Sequence, residues 1–287
     1  MTYNYYPGHM MKAKRAMEED IRIIDLLIEL LDARAPQSTR NPEIDKLAKG
    51  KGRMVLLNKA DLADEDETKK WIAYFKERGI AAISLDSRNR KEMKEIDNAV
   101  SFACREKIEK NKKKGIINRP MRAMVVGIPN VGKSTFINSY AGRAAAKTGN
   151  KPGVTRGKQW IKLGKNLELL DTPGILWPKI DDETAGFHLA LLGSMNDLIL
   201  NREEMVIRFI KELKVSFPEI LFERYGITAE TGEEEALRTV AVKRNAIQKG
   251  GEPDTDRAIS FILDDFRSGK LGKITLDRLD DIADEDL

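Results

Sequence analysis

The sequence predicts an α/β protein: a doubly wound, mostly parallel sheet joined to a C-terminal all-helical region. Three observations carry this. Short apolar runs alternate with amphipathic stretches up to about residue 178. One of those runs, ending at Val126, feeds straight into Gly127-Ile128-Pro129-Asn130-Val131-Gly132-Lys133-Ser134, a GxxxxGKS loop that then opens a helix. Beyond Pro178 the apolar runs stop and helical patterns take over.

In chain order, buried strands are expected at residues 23–31, 54–57, 81–85, 124–126 and 167–170, because each is a short apolar run bounded by polar or turn residues. Residues 160–163 alternate and should pair with the strand after them as an antiparallel hairpin at the sheet edge. Helical patterns at 64–78 and 90–114 fill the connections. The C-terminal region offers helices at 183–192, 202–214, 217–225, 233–248 and 254–267, punctuated by Gly250-Gly251 and by Pro253-Asp254. The expected domains are therefore 1–178 and 179–287. In a sheet of this kind a ligand lies beyond the carboxyl ends of the strands, where Asn58, Ser84, Gly127 and Asp171 fall.

A length of 287 residues accommodates one full domain and a smaller second one. The longest apolar run, residues 21–31, is interrupted by Arg22, Asp25 and Glu29 and is too short to cross a bilayer. No cationic start followed by an apolar run suggests a secretory signal. The single cysteine, Cys104, excludes an internal disulfide or a multi-cysteine zinc site, and these features together read as a cytoplasmic chain. The net charge of +4 is unevenly placed. Arg105, Lys107, Lys110, Lys112, Lys113, Lys114, Arg119 and Arg122 face only Glu106 and Glu109 along one segment, which could meet RNA phosphates or simply be a solvated helix end.

The loop's glycines let backbone N–H groups turn inward around phosphates, aided by the positive end of the following helix. Phosphate contacts are assigned to Asn130, Val131, Gly132, Lys133, Ser134 and Thr135, with Lys133 reaching the terminal phosphates and Ser134 coordinating Mg²⁺. Asn58-Lys59-Ala60-Asp61 ends the second strand. Asp61 would accept from the guanine ring N–H and exocyclic amine, donors that adenine lacks. Asn58 would hold the other edge of the base, and the Lys59 stem would pack along the ring. Ser84-Leu85-Asp86, at the end of the third strand, would offer a backbone N–H to the guanine carbonyl. Asp171-Thr172-Pro173-Gly174 follows strand 167–170: Asp171 would bind Mg²⁺ through a water, and Gly174 would touch the γ-phosphate. Thr155 lies between the loop and Asp171 and is the candidate switch threonine for the Mg²⁺ shell. The ligand is thus GTP or GDP. The guanine motif precedes the phosphate loop instead of following it, so the order is that of a circularly permuted P-loop GTPase.

The chain resembles the circularly permuted GTPases of bacterial large-subunit assembly over essentially its whole length. The matching residues include Pro7-Gly8-His9-Met10 with Lys12-Ala13, Asp32-Ala33-Arg34 with Pro36, Arg40-Asn41-Pro42, and Pro152-Gly153-Val154-Thr155-Arg156-Gly157. They also include the nucleotide motifs above and Gly269-Lys270-Leu271-Gly272. The resemblance implies a late role in large ribosomal subunit assembly, activation by that subunit, and partners among its rRNA and ribosomal proteins. It also implies an RNA-contacting helical domain. In GTPases resembling this one, an asparagine at the position of Asn130 coordinates K⁺ against the phosphates; a turn after Pro129 is the plainer reading.

Ile175 and Leu176 follow the switch motif, and neither can orient a water as a glutamine does there in Ras-like enzymes. Of the two histidines, His9 follows a glycine, titrates near neutrality, and is the candidate for orienting the attacking water, a role the resemblance supports. Capping the first helix or contacting RNA is its competing reading. His188 reads as helix packing or an interdomain contact. Because Gly174 leads straight into the helical region, ordering of the switch by γ-phosphate would move that region. An RNA-binding placeholder with a structural nucleotide is the competing function. A small-subunit assembly GTPase of the other permuted type is disfavoured by the lone cysteine, and a lipidated signalling GTPase by the C-terminal Asp284-Glu285-Asp286-Leu287. A monomer without membrane attachment is expected.

Overall fold

The computed structural model describes residues 17–282 except positions 43, 93, 118, 143–158, 164–166, 172–181 and 196–200, and of Lys94, Gln159 and Asp171 the backbone alone. The chain divides into two compact units, Met1–Gly186 with Ile274–Leu287, and Phe187–Lys273.

The first unit is built on a six-stranded sheet of β1 (Leu26–Asp32), β2 (Gly52–Asn58), β3 (Ala81–Leu85), β4 (Met121–Val126), β5 (Gln159–Leu163) and β6 (Leu167–Asp171), in the order β3-β2-β1-β4-β6-β5. Every pair is parallel except the β5–β6 hairpin, which is antiparallel at the edge as its alternating sequence predicts. All seven residues of β1 are buried, so this central strand has both faces covered, which explains its nearly unbroken apolar run. The register aligns Asp32 with Asn58, Asn58 with Leu85, and Val125 with Asp171. The carboxyl ends that carry the motifs are therefore level.

Each face has its own core. Helix Glu65–Glu77 begins where Asp64 accepts from the N–H groups of Asp66 and Glu67, both at 2.9 Å. It packs Trp71, Tyr74 and Phe75 against Leu31, Val55 and Leu57. On the other face Met17, Ile24, Leu27 and Ile44 meet Met124, Val126 and Leu170. β1 starts three residues later than expected because Ile21–Ile23 forms a 3₁₀ turn. The expected helix 90–114 is two helices, Lys94–Ala103 and Arg105–Lys113, divided at the buried Cys104.

The second unit contains helices Arg202–Ser216, Pro218–Tyr225, Glu233–Lys243 and Thr255–Arg267. Phe209 meets Phe266 edge-on at 4.9 Å, and Val206, Ile210, Val240 and Ile262 of these helices are buried. Oδ2 of the buried Asp265 accepts from Arg224, Tyr225 and Arg244, which offsets the cost of burying its charge. The helix expected at 233–248 stops at Lys243 because Asn245 takes a positive φ of 53° and Ile247 pairs with Pro253.

The expected division into 1–178 and 179–287 is corrected at both ends. The first unit runs to Gly186, and residues 274–282 return to it. Ile274 donates to the Leu62 carbonyl, and Leu276 to that of Arg34. Asp277 accepts from the Ser38 N–H at 2.6 Å and its hydroxyl at 2.8 Å, and the Trp71 indole donates to the Asp277 carbonyl at 2.8 Å. Among the described residues no helix is long and apolar enough to cross a membrane.

Candidate functional site

At the carboxyl edge of the sheet, β4 passes into the glycine-rich loop at Gly127, whose φ is +156°. A side chain there would sit 2.6 Å from the Leu30 carbonyl, so the loop can leave the sheet this tightly only with glycine. Gly132, at φ +104°, precedes helix Lys133–Ala141, and a Cβ on it would lie 2.4 Å from the Asn58 amide nitrogen. Asn130 also takes a positive φ, 62°, where asparagine is tolerated better than most side chains. Lys133 is buried and its Nζ donates to the carbonyls of Gly127 at 3.0 Å and Ile128 at 2.8 Å, folding the loop over its own ammonium. Ser134 and Thr135 occupy the first turn of the helix and are partly exposed.

The Asn58–Asp61 tetrapeptide is fastened to that loop although it precedes it by some seventy residues. Asn58 Nδ2 donates to the Val131 carbonyl at 2.7 Å. Its Oδ1 accepts from the Ser87 N–H at 3.0 Å and the Ser87 hydroxyl at 2.7 Å. Lys59 sits in the left-handed region, φ 59° and ψ 33°, a conformation that costs a lysine about 1 kcal/mol. Its Nζ bridges the Asn130 carbonyl at 3.0 Å and Asp32 at 2.9 Å, and these two contacts offset that cost. Asp32 is held in turn by a two-pronged contact from Arg34, Nε at 2.9 Å and a terminal nitrogen at 2.8 Å. Burial works to raise the Asp32 carboxyl, but the charges of Arg34 and Lys59 outweigh it and keep the group well below the usual carboxylate range. A permanently ionised Asp32 therefore anchors Lys59 against the loop.

The rim is more open. Asp61 accepts from Arg88 at 2.5 Å, and Arg88 also forks onto Asp86 at 2.9 and 3.0 Å. Leu85 is buried and Ser84 partly so, both in β3. The Asp86 N–H is taken by the Glu92 carboxylate at 2.7 Å. Asp171 ends β6 beside Val125, two residues before the loop begins.

Of the residues singled out from sequence, Asn58 is bonded to Val131 and Lys59 to Asn130, Gly132 lies against Asn58, Lys133 closes the same loop through Gly127 and Ile128, and Asp61 and Asp86 are joined at the rim through Arg88. His9, Thr155 and Gly174 lie outside the described residues, as does the Asp171 side chain. Sequence reasoning missed Ser87, one residue past the expected 84–86 segment, and Arg88. It noted Asp32 and Arg34 only among the residues that match the family, without a role. His188, read as packing, is buried in helix Glu183–Leu191 beside Phe187, ring centroids 5.7 Å apart.

A strand–GxxxxGKS–helix unit interlocked with an NKxD tetrapeptide that precedes it, on a mostly parallel sheet, defines a P-loop GTPase fold in circular permutation. Comparisons with known proteins agree. A family described as 50S ribosome-binding GTPase matches residues 122–222. Ribosome biogenesis GTPase A of Bacillus cereus is 46% identical, with 99% of this chain aligned to 97% of the relative. Its counterpart in Thermotoga maritima is 34% identical over 98% of this chain and 96% of the relative. The crystal structure of GNP-bound YlqF from T. maritima superposes with a TM-score of 0.67 at 32% identity, covering 94% of this chain and all of that one. The chain belongs to the ribosome biogenesis GTPase A family.

Proposed function

We propose that this protein binds GTP and hydrolyses it to time a late step in assembly of the large ribosomal subunit, with turnover stimulated by that subunit. The observation that carries the reading is the lock of Asn58 and Lys59 onto the carbonyls of Val131 and Asn130. It holds the base-reading and phosphate-binding motifs as a single rigid site. The relatives named as ribosome biogenesis GTPases support the process, and the GNP- and GDP-bound structures of the Thermotoga protein support the nucleotide.

In this reading Asp61 releases Arg88 and accepts from guanine, and Lys133 exchanges the carbonyls of Gly127 and Ile128 for the terminal phosphates. Mg²⁺ would be held by hard oxygens, the Ser134 hydroxyl and the carboxylate of Asp171, with the rest of its shell from phosphate and water. Mg²⁺ would neutralise developing phosphate charge, and Thr155 would complete its shell. Asn130, in the left-handed region at φ 62°, would face K⁺. His9 would orient the attacking water. The helical region would meet RNA, and the boundary we propose for it follows the compact unit Phe187–Lys273.

The test is GTP hydrolysis in KCl and in NaCl, with and without purified large subunits. Stimulation by the subunit that is greater in K⁺ and abolished in His9→Ala is the expected result. Equal, slow turnover in all four conditions would move the protein to a placeholder whose nucleotide is structural.

A further inference from the structure

At the opposite edge of the sheet from the nucleotide loop, the amino ends of β1, β2 and β3 surround a cleft of about 670 Å³. Lys51, Arg53, Arg78, Arg105, Lys107 and Lys110 line it. Three carboxylates share the lining, Asp25, Asp45 and Glu106, against seven cations, and the first two are already committed. Asp25 is met by Lys107 at 3.1 Å and Arg119 at 3.3 Å, and Asp45 by Arg53 at 2.5 Å and Arg40 at 2.8 Å. Among the described residues Arg78, Arg105 and Lys110 make no ion pair and are exposed, and Lys51 bonds only the backbone carbonyls of Arg22 and Ile24. The cleft therefore offers surplus positive charge, and the lysine-rich end of helix Arg105–Lys113 extends it.

A second observation adds a stacking surface. Phe102, 53% exposed, stands next to Ala103 and Cys104 of the cleft wall, and the Arg105 guanidinium lies 4.4 Å over its ring. An exposed ring capped by a planar cation beside unpaired cations is what an unpaired nucleotide requires: phosphates for the cations and a face for the base. Cys104 takes no chemical part. Burial, reinforced by Asp25, pushes its thiol up to about 11 and keeps it protonated.

We propose that this cleft is an RNA-binding surface on the GTPase domain itself, distinct from the nucleotide site and from the helical unit, and that it takes a single-stranded or bulged segment of large-subunit rRNA. The choice of rRNA rests on the ribosome-assembly reading above; the preference for RNA rests on the cleft's charge and ring. It gives the protein a grip on RNA through the unit that hydrolyses GTP.

The experiment measures binding of the full-length protein, loaded with GDP, to intact large subunits, to protein-free large-subunit rRNA and to a mixed-sequence single-stranded RNA. Wild type is compared with Arg78→Ala/Arg105→Ala/Lys110→Ala and with Phe102→Ala; GTP hydrolysis without subunits serves as the folding control. The triple variant should bind the subunit and both RNAs on the order of tenfold more weakly, and the slope of log affinity against log salt should fall by about 2. Phe102→Ala should weaken RNA binding roughly five- to a hundredfold with little change in slope. Unchanged RNA affinity and slope in both variants, with normal hydrolysis, would overturn the proposal. So would a defect seen with intact subunits but not with protein-free rRNA, which would assign the face to an acidic ribosomal protein. Variant-sensitive binding to RNA without binding of wild type to subunits would keep the surface and remove the ribosomal reading.

Discussion

Asn58 does more than its place in a base-reading motif predicts. Its side chain ties the Val131 carbonyl to Ser87, three bonds in a site where each partner is buried or turned inward. Asn58→Ala should therefore lower stability by about 2–3 kcal/mol, because the Ser87 donors lose their acceptor and the loop loses an anchor. Chemical denaturation with GDP-affinity measurements checks both effects. Asp32→Ala should be costlier, about 3–5 kcal/mol, since it strands Arg34 and Lys59 beside an apolar strand end. Arg88→Ala should act in the other direction. Removing a competitor from Asp61 that is an exposed pair, worth about 0.2–1 kcal/mol, should tighten GDP binding severalfold at most. None of these roles was legible in the sequence beyond the motif letters. Ser87, Arg88 and Asp32 gain theirs from strands brought side by side, and spacing along the chain says nothing about that.

At the scale of elements, the parallel strands and the β5–β6 hairpin were readable because their apolar periodicity has a single cause, burial on both faces or on one. What was not readable depends on tertiary context: the 3₁₀ turn before β1, the break at Cys104, and the early end of helix Glu233–Lys243. β1 also carries a buried acid. Glu29 accepts from the Asn41 N–H at 3.0 Å, but Arg53 stays 3.7 Å away, and burial raises its carboxyl to about 7. Its folded value lies above the unfolded one, so the folded state holds a proton that the unfolded state has released. Stability should fall as pH rises from about 4.5 to about 7. Glu29→Gln should remove that slope and melt higher than wild type above pH 7, as thermal scans across this range would show.

At the scale of the molecule, the sequence places one domain after another, whereas the structure returns the chain to its first unit after Lys273. The returning segment mixes Ile274, Leu276, Leu279 and Ile282 with charged residues and holds only a short 3₁₀ turn, so no strand or helix periodicity marks it. It is held by Asp277 on Ser38, by Thr275 on the Asp64 N–H at 3.0 Å, and by backbone bonds to Leu62 and Arg34. Asp277→Ala should cost about 1–3 kcal/mol by leaving the Ser38 donors buried and unmet, with the loss seen in unfolding of the first unit. Because Arg34 anchors Asp32 and Asp32 anchors Lys59, the tail is linked by a continuous chain of bonds to the phosphate loop.

The central claim is that two motifs in reversed order form one guanine-nucleotide site. The most direct measurement is displacement of a fluorescent GDP analogue by GTP and by ATP, in wild type and in Asp61→Ala. The account predicts that GTP displaces it from wild type far better than ATP, and that Asp61→Ala loses most of that preference while the phosphate loop still binds nucleotide weakly. Equal displacement by GTP and ATP in wild type, or a preference unchanged in Asp61→Ala, would contradict it.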